Sequence, residues 1–206
     1  MYVPHQFKNE NADEIREFVA QNGFGILISQ TDARLLATHI PFELDTNDEG
    51  APILVGHISK GNPQWKNFAH DSQVLVIFNG PHSYISSSWY DHENVPTWNY
   101  IAVHIYGKVK IIAGEKLLLA LTKLVDKYEQ RSAKPVSVAT MSAAMLQKEM
   151  RGIVGFEVEI TEIQAAYKLS QNRDDKNHDN ITAELRASDD AAAHQVAAKM
   201  DKERRK

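Results

Sequence analysis

Two short stretches concentrate the polar chemistry of this chain. In GHISKGNPQW, Gly56 to Trp65, an apolar run delivers His57, Ser59 and Lys60 to Asn62-Pro63, which reads as a helix start. Unpaired N–H groups and the helix dipole at such a start favour an anion, and Lys60 with Ser59 would complete a phosphate site. The same residues support a plainer reading, in which Asn62 caps its own helix, Pro63 fills the first turn and Lys60 is solvated. The second stretch, KLSQNR, holds Lys168, Ser170, Gln171, Asn172 and Arg173. Two cations, a hydroxyl and two amides all donate hydrogen bonds.

Aromatic and histidine residues interrupt other apolar segments. VPTWNY places Asn99 between Trp98 and Tyr100. Rings of this size can flank a planar ligand while an amide pairs with its polar edge. A core tryptophan with a subunit contact fits the same residues. In ATHIPF, Thr38 and His39 fall on opposite faces of a strand. His39 is a candidate ligand contact or a hydrogen-bonded structural histidine. All three tryptophans, Trp65, Trp89 and Trp98, lie in or beside such clusters.

Other chemistries leave no mark. His39, His57, His82, His92 and His104 are scattered without a metal-ligand spacing. No nucleophile elbow, P-loop, GxGxxG or helix-turn-helix is present. No catalytic residue and no metal site is predicted.

Composition sets the frame for these clusters. Hydrophobic residues make up 43% and charged residues 24%, enough for a sizeable core. A net charge of −4 gives no sign of broad nucleic-acid binding. With no cysteine, disulfides and thiolate metal sites are excluded, which fits a reducing compartment. The N-terminal residues lack a signal pattern and no apolar run reaches transmembrane length, so a cytoplasmic protein without membrane association is expected.

Hydrophobic periodicity then positions the clusters. NADEIREFVAQNG reads as a helix capped by Asn11, with Glu14 completing a capping box and Ile15, Phe18 and Val19 inward. FGILIS, ARLLATHIPFEL and APILVGHI read as strands, and NPQWKNFAH as a short helix. QVLVIF reads as a strand buried on both faces. NGPHSYISSSWYDHENVPTW reads as a long connection with little regular structure. NYIAVHIYGKVKII alternates, with Ile101, Val103, Ile105, Val109 and Ile111 on one face. GEKLLLALTKLVDKYEQ and SAAMLQKEM read as helices. IVGFEVEITEI alternates again, with Val154, Phe156, Val158 and Ile160 inward. Residues 174–206 are charged, Ala-rich and helical in pattern, and read as a solvated appendage. An α+β domain around an antiparallel sheet or barrel follows.

The segments MYVPHQF, ATHIPF, LVGHISKGNPQW, VLVIFNGPHSYISSSWY, VPTWNY, AVHIYGKV and KLSQNR, in this order, resemble the PaiB family of FMN-binding negative transcriptional regulators. They reach from residue 1 to about residue 173. The resemblance implies a split β-barrel of the pyridoxamine-phosphate-oxidase type with flanking helices and a helical C-terminal tail. It implies a flavin-binding domain over 1–173 with an extension over 174–206, and a homodimer with FMN at the interface. A DNA or regulatory protein partner is the further implication. The implied cofactor contacts are Thr38, His39, His57, Ser59, Lys60, Asn62, Gln64 and Trp65, with Trp98, Asn99 and Tyr100. They continue in Lys168, Ser170, Gln171, Asn172 and Arg173, of which Lys168 and Arg173 are the charge partners for phosphate. Successive residues cannot all face one ligand, and KLSQNR equally suits a turn that locks the tail helix. Ser87 departs from the family, which usually has proline there, and frees the loop before Trp89. Two other functions stay open on the same resemblance. One is a flavin-dependent oxidoreductase, with His39, His57 and His104 as proton donors. The other is a haem-binding barrel with His178 or His194 as axial ligand.

Overall fold

The computed structural model describes residues 1–31, 34–68 and 72–204. In chain order its main elements are α1 (Ala12–Gln21), β1 (Phe24–Gln30), β2 (Leu35–Thr46), β3 (Pro52–Ser59), β4 (Ser72–Ile85) and β5 (Thr97–Ile112). There follow α2 (Gly114–Glu129), α3 (Ala143–Arg151), β6 (Ile153–Lys168), α4 (Asp175–Ala187) and α5 (Ala191–Arg204). The strands close into a barrel in the order β1-β2-β3-β6-β5-β4. This is the expected α+β barrel with flanking helices and a helical tail. Among the described residues, no helix is long and apolar enough to cross a membrane.

The chain forms two compact units. One, the central unit, comprises Gly23–Ile77 and Ile105–Ile163; the other, the terminal unit, comprises Met1–Asn22, Phe78–His104 and Gln164–Lys206. In the central unit, antiparallel registers set Ile26 opposite His39, Phe42 opposite Gly56, and Gly56 opposite Phe156. Alternation then turns Leu27, Phe42, Leu54, Val76, Ile105, Phe156 and Val158 into a buried core. Phe156 packs edge-on to both Phe42 and Phe68. Helix α2 is tied to β2 by the Lys123–Asp45 and Lys127–Glu43 ion pairs, and to the turn after β2 by Lys116–Asp48. Only Leu117 of α2 is fully buried; the Lys116 and Lys123 pairs are exposed and the Lys127 pair half-buried, so the exposed pairs position the helix more than they stabilise it.

In the terminal unit, Asn11 caps α1 by accepting from the N–H groups of Asp13 and Glu14. Glu14 accepts from Asn9 Nδ2, and Asn9 Oδ1 takes the Asn11 N–H, so a side chain just outside the helix completes the N-terminal bonding. Phe18, buried beside Tyr167 at 5.9 Å, anchors the helix. Residues 174–206 are not simply solvated: α4 and α5 bury Ile181, Leu185, Val196, Ala197 and Met200. Alanine-rich composition hid this face, because small side chains let helices approach without a marked apolar stripe.

Three readings of strand pattern differ from the structure. The QVLVIF run buries Val74, Val76 and Phe78 but leaves Leu75 and Ile77 half-buried, so only one face is fully enclosed. The first seven of the twenty residues of the expected connection NGPHSYISSSWYDHENVPTW are strand, since β4 runs to Ile85, and its last two open β5. The turn-like Asn79-Gly80-Pro81 concealed it. Gly80 serves packing instead: a Cβ there would lie 2.7 Å from Phe18 Cε2. In β5 the alternation changes phase after Val109, leaving Ile111 exposed and Ile112 buried. NPQWKNFAH contains a short 3-10 helix, Pro63–Asn67; its Ala69 and His70 lie outside the described residues. The same holds for Ala33, at the start of the expected second strand, and for Arg205 and Lys206 in the tail.

Burial also sets a pH dependence. His57, His104 and His178 are all held below the ordinary histidine range, first by desolvation. The N-terminal amine adds to this at His104, and Arg204 at His178. Because the folded values lie below the unfolded one, their stability contribution is present above about pH 6.5 and is lost as pH falls below it. The thermal midpoint is therefore expected to drop between about pH 7.5 and about pH 5.5, with His178→Gln flattening that slope in differential scanning calorimetry.

Candidate cofactor site

The residues singled out in the sequence form two clusters, one in each unit. In the central unit the organising side chain is Gln64, which is 0% exposed. Its Oε1 accepts from Thr38 Oγ1 at 2.5 Å, and its Nε2 donates to Leu27 O at 3.2 Å and Ser29 Oγ at 3.0 Å. Asn62 Nδ2 donates to Thr38 Oγ1 at 2.8 Å, while Asn62 Oδ1 caps the 3-10 helix by accepting from the Gln64 N–H. Thus Thr38, Asn62 and Gln64 are brought together, with their polar atoms directed at one another. Ser29 is a member of this network that the sequence did not signal.

The loop backbone is equally engaged. Lys60 N–H donates to Gly152 O, Gly61 N–H to Ser59 Oγ, and Asn62 N–H to Ser59 O. The helix start therefore offers no row of free N–H groups, and its five residues carry little dipole. An anion at this loop would meet side chains rather than free backbone N–H groups. The Lys60 ammonium makes no ion pair with a described residue, and Ser59 is exposed beside it. His57 is half-buried with a neutral ring favoured, and the exposed His39 stacks with Phe24 at 6.4 Å. Trp65 donates its Nε1–H to Lys60 O, which braces the loop.

In the terminal unit the Asn99 amide is 0% exposed and pairs with Ser170 Oγ in both directions, at 2.9 and 3.1 Å. It also donates to Met200 Sδ. Ser170 has φ 59°, a left-handed backbone that a non-glycine residue adopts only when its surroundings hold it there. Gln171 closes the same turn, accepting from Leu169 N–H and donating to Tyr167 O. Lys168 donates to Thr97 Oγ1 at 2.5 Å and stands 5.8 Å from the Phe7 ring centre. Burial and then Arg173 hold its pKa below the usual lysine range. The Arg173 guanidinium lies 5.0 Å from the Tyr90 ring centre. Asn172 is exposed. The Ser170 and Gln171 polar groups thus build a turn, while Lys168, Asn172 and Arg173 keep donors near the surface.

Trp98 is 53% exposed and forms a ring platform with Tyr84, at 5.9 Å and 71°, and His82, at 6.1 Å and 42°. Tyr100, on the same strand, is half-buried. His82 and Tyr84 were missed because their segment was read as a loop; as a strand, their spacing of two puts both on one face. An exposed aromatic platform fits a planar ring, and an unpaired lysine with a neighbouring hydroxyl fits a phosphate. Taken separately, each unit thus offers groups that suit one part of a flavin mononucleotide. The two tail histidines are already engaged: His178 is buried with Nδ1 facing Arg204, and His194 Nε2 lies 2.6 Å from Ser188 O.

Comparison with known proteins agrees with this chemistry. Residues 1–162 match the family described as "Putative FMN-binding domain". "Protease synthase and sporulation protein PAI 2" of Bacillus subtilis (strain 168) is 44% identical over 201 residues, covering 98% of this chain and 97% of its own. The FAD and haem binding protein from Mycobacterium smegmatis aligns with a TM-score of 0.61 at 16% identity, over 85% of this chain and 79% of its own. The flavocytochrome Anf3 from Azotobacter vinelandii aligns with a TM-score of 0.56 at 14% identity, over 85% and 76% respectively. At such identities the structural likeness speaks to the fold alone, a split β-barrel. FMN is the cofactor that the family match supports. With a match spanning most of its length and a near full-length relative, the chain belongs to the PaiB family of FMN-binding split-barrel proteins.

Proposed function

We propose that the protein is a PaiB-type negative transcriptional regulator that works as a cytoplasmic homodimer with FMN bound. The observation that carries this reading is the 44% identity to PAI 2 of Bacillus subtilis across 98% of the chain. By that relationship, the processes regulated are protease synthesis and sporulation or their counterparts. Residues 1–173 carry the flavin site, and residues 174–206 brace the terminal unit. Regulation proceeds by contact with DNA or with a regulatory protein.

When bound, FMN supplies one- and two-electron chemistry, and the chain supplies binding and orientation. Lys60 provides the positive charge for the phosphate, with Ser59 donating through its hydroxyl. His57, kept neutral by burial, adds a hydrogen-bonding group without a second charge. In the terminal unit, considered by itself, Trp98 is an exposed ring, and the Asn99–Ser170 pair fixes the start of β5 and the turn after β6. Lys168, Asn172 and Arg173 are secondary donors.

Titration with FMN, followed by quenching of flavin fluorescence, tests the site. Lys60→Glu is expected to weaken binding by roughly 10- to 100-fold, because a charge-assisted contact becomes a repulsion. An unchanged dissociation constant would remove Lys60 from the site. Sizing chromatography tests the dimer. Gel-shift and pull-down assays with oxidised and reduced flavin test the regulatory role, and absence of both DNA and a partner in either state would overturn it.

A further inference from the structure

The central unit holds a cleft of about 520 Å³, most of which the flavin proposal leaves unused. It opens where the end of β5, the start of α2, α3 and the start of β6 meet. Its walls are mostly aliphatic, from Ile111, Ile112, Leu117, Met150, Ile153 and Val154, with Trp65 at one side. The polar groups on its lining are Lys60, Gln147 and Arg151, with no carboxylate among them. Neither Lys60 nor Arg151 makes an ion pair with a described residue. Helix α3 buries no residue fully, although its N-terminus is properly capped by Ser142. A capped helix with no fully buried residue, held beside the cleft, lines it with Gln147, Met150 and Arg151 of its last turns. The volume lies within the range of about 300–1,000 Å³ typical of small-molecule sites.

We infer that this cleft binds an aliphatic monoanion, a molecule of the fatty carboxylate class, with its chain against Leu117, Met150 and Ile153 and its head group at Arg151. Walls in which Trp65 is the one ring among six larger aliphatic side chains favour a chain over a planar ring, and the excess of unpaired cations over carboxylates selects a negative head. The site is independent of the flavin proposal except for Lys60 and Trp65, which border both, so Arg151 is the residue to test.

The full-length protein is titrated with 1-anilinonaphthalene-8-sulfonate, and bound probe is displaced with dodecanoate or with neutral dodecanol. The expected result is saturable probe binding at one site per chain, displacement by dodecanoate, and much weaker displacement by dodecanol. Arg151→Glu is expected to weaken dodecanoate about tenfold, and Lys148→Glu, a charge change on α3 outside the lining, to leave it unchanged. Ile111→Trp, at an already exposed position, should fill the cleft and lower probe and dodecanoate binding together. The inference is overturned by failure of dodecanoate to displace the probe, or by equal losses in the Arg151 and Lys148 variants. It is equally overturned if Arg151→Glu weakens FMN as much as dodecanoate, since the cleft would then belong to the flavin. Loss of FMN binding in Lys60→Glu with intact dodecanoate binding in Arg151→Glu would also count against it.

Discussion

Gln64→Ala is expected to lower stability by about 3 kcal/mol, and the thermal midpoint by roughly 10 °C for a chain of this size. The side chain is fully buried and its amide answers Thr38 Oγ1, Leu27 O and Ser29 Oγ at once. Alanine leaves those groups without their partner in a place that water cannot readily reach, and an orphaned buried polar group costs about 1–3 kcal/mol. Gln64→Glu separates hydrogen bonding from packing. It keeps the shape but turns the Nε2 donor into an acceptor facing the Leu27 and Ser29 oxygens, and places a charge where nothing balances it. That variant is expected to be the less stable of the two at neutral pH and to recover towards wild type, compared at the same pH, as the carboxylate takes up a proton below about pH 6. Urea denaturation followed by circular dichroism measures both. A Gln64→Ala midpoint within error of wild type would show that the network is dispensable. FMN affinity of the folded fraction should change little, because no polar atom of Gln64 reaches the surface.

Gly107→Ala is the second large effect. A Cβ at this position would lie 2.3 Å from Glu159 O and 2.6 Å from Val158 Cγ1. The first neighbour is backbone in the adjacent strand β6, so no side-chain rotation relieves the overlap. The strand would have to move, yet β6 is paired to β3 from Ile153 to Glu159 and Thr161 Oγ1 donates to Tyr106 O nearby. Overpacking of this kind costs about 3 kcal/mol or more. The expected outcome is a poorly soluble protein, or one whose urea midpoint falls at least as far as that of Gln64→Ala. A fully folded Gly107→Ala variant of wild-type stability would mean that β5 and β6 separate more easily than a closed barrel permits.

Much of the architecture was legible in local pattern. Asn11 and Asn62 announced their helices because a cap is an interaction between neighbours in sequence, complete within three residues. The alternation of Ile101, Val103, Ile105 and Val109 announced β5 for the same reason. The pattern misled where a residue served a distant contact. Gly80 looked like a turn and is a seat for the Phe18 ring, from a helix some sixty residues earlier. Ile111 continued the alternation in sequence, yet the strand changed phase beneath it.

The candidate residues divide in the same way. The sequence by itself determined which donors exist and, through its likeness to a family, which cofactor they suit: Lys60 and Ser59 for an anion, Trp98 for a ring, KLSQNR as a knot of hydrogen-bond donors. Only the tertiary structure decided which of these are already engaged. Gln64 meets Ser29 from 35 positions away, and Asn99 meets Ser170 from 71 positions away. Such pairings arise when strand register and helix packing bring remote segments together. A polar side chain bonds to whatever acceptor is nearest once water is gone, and that neighbour is set by topology, not by adjacent residues.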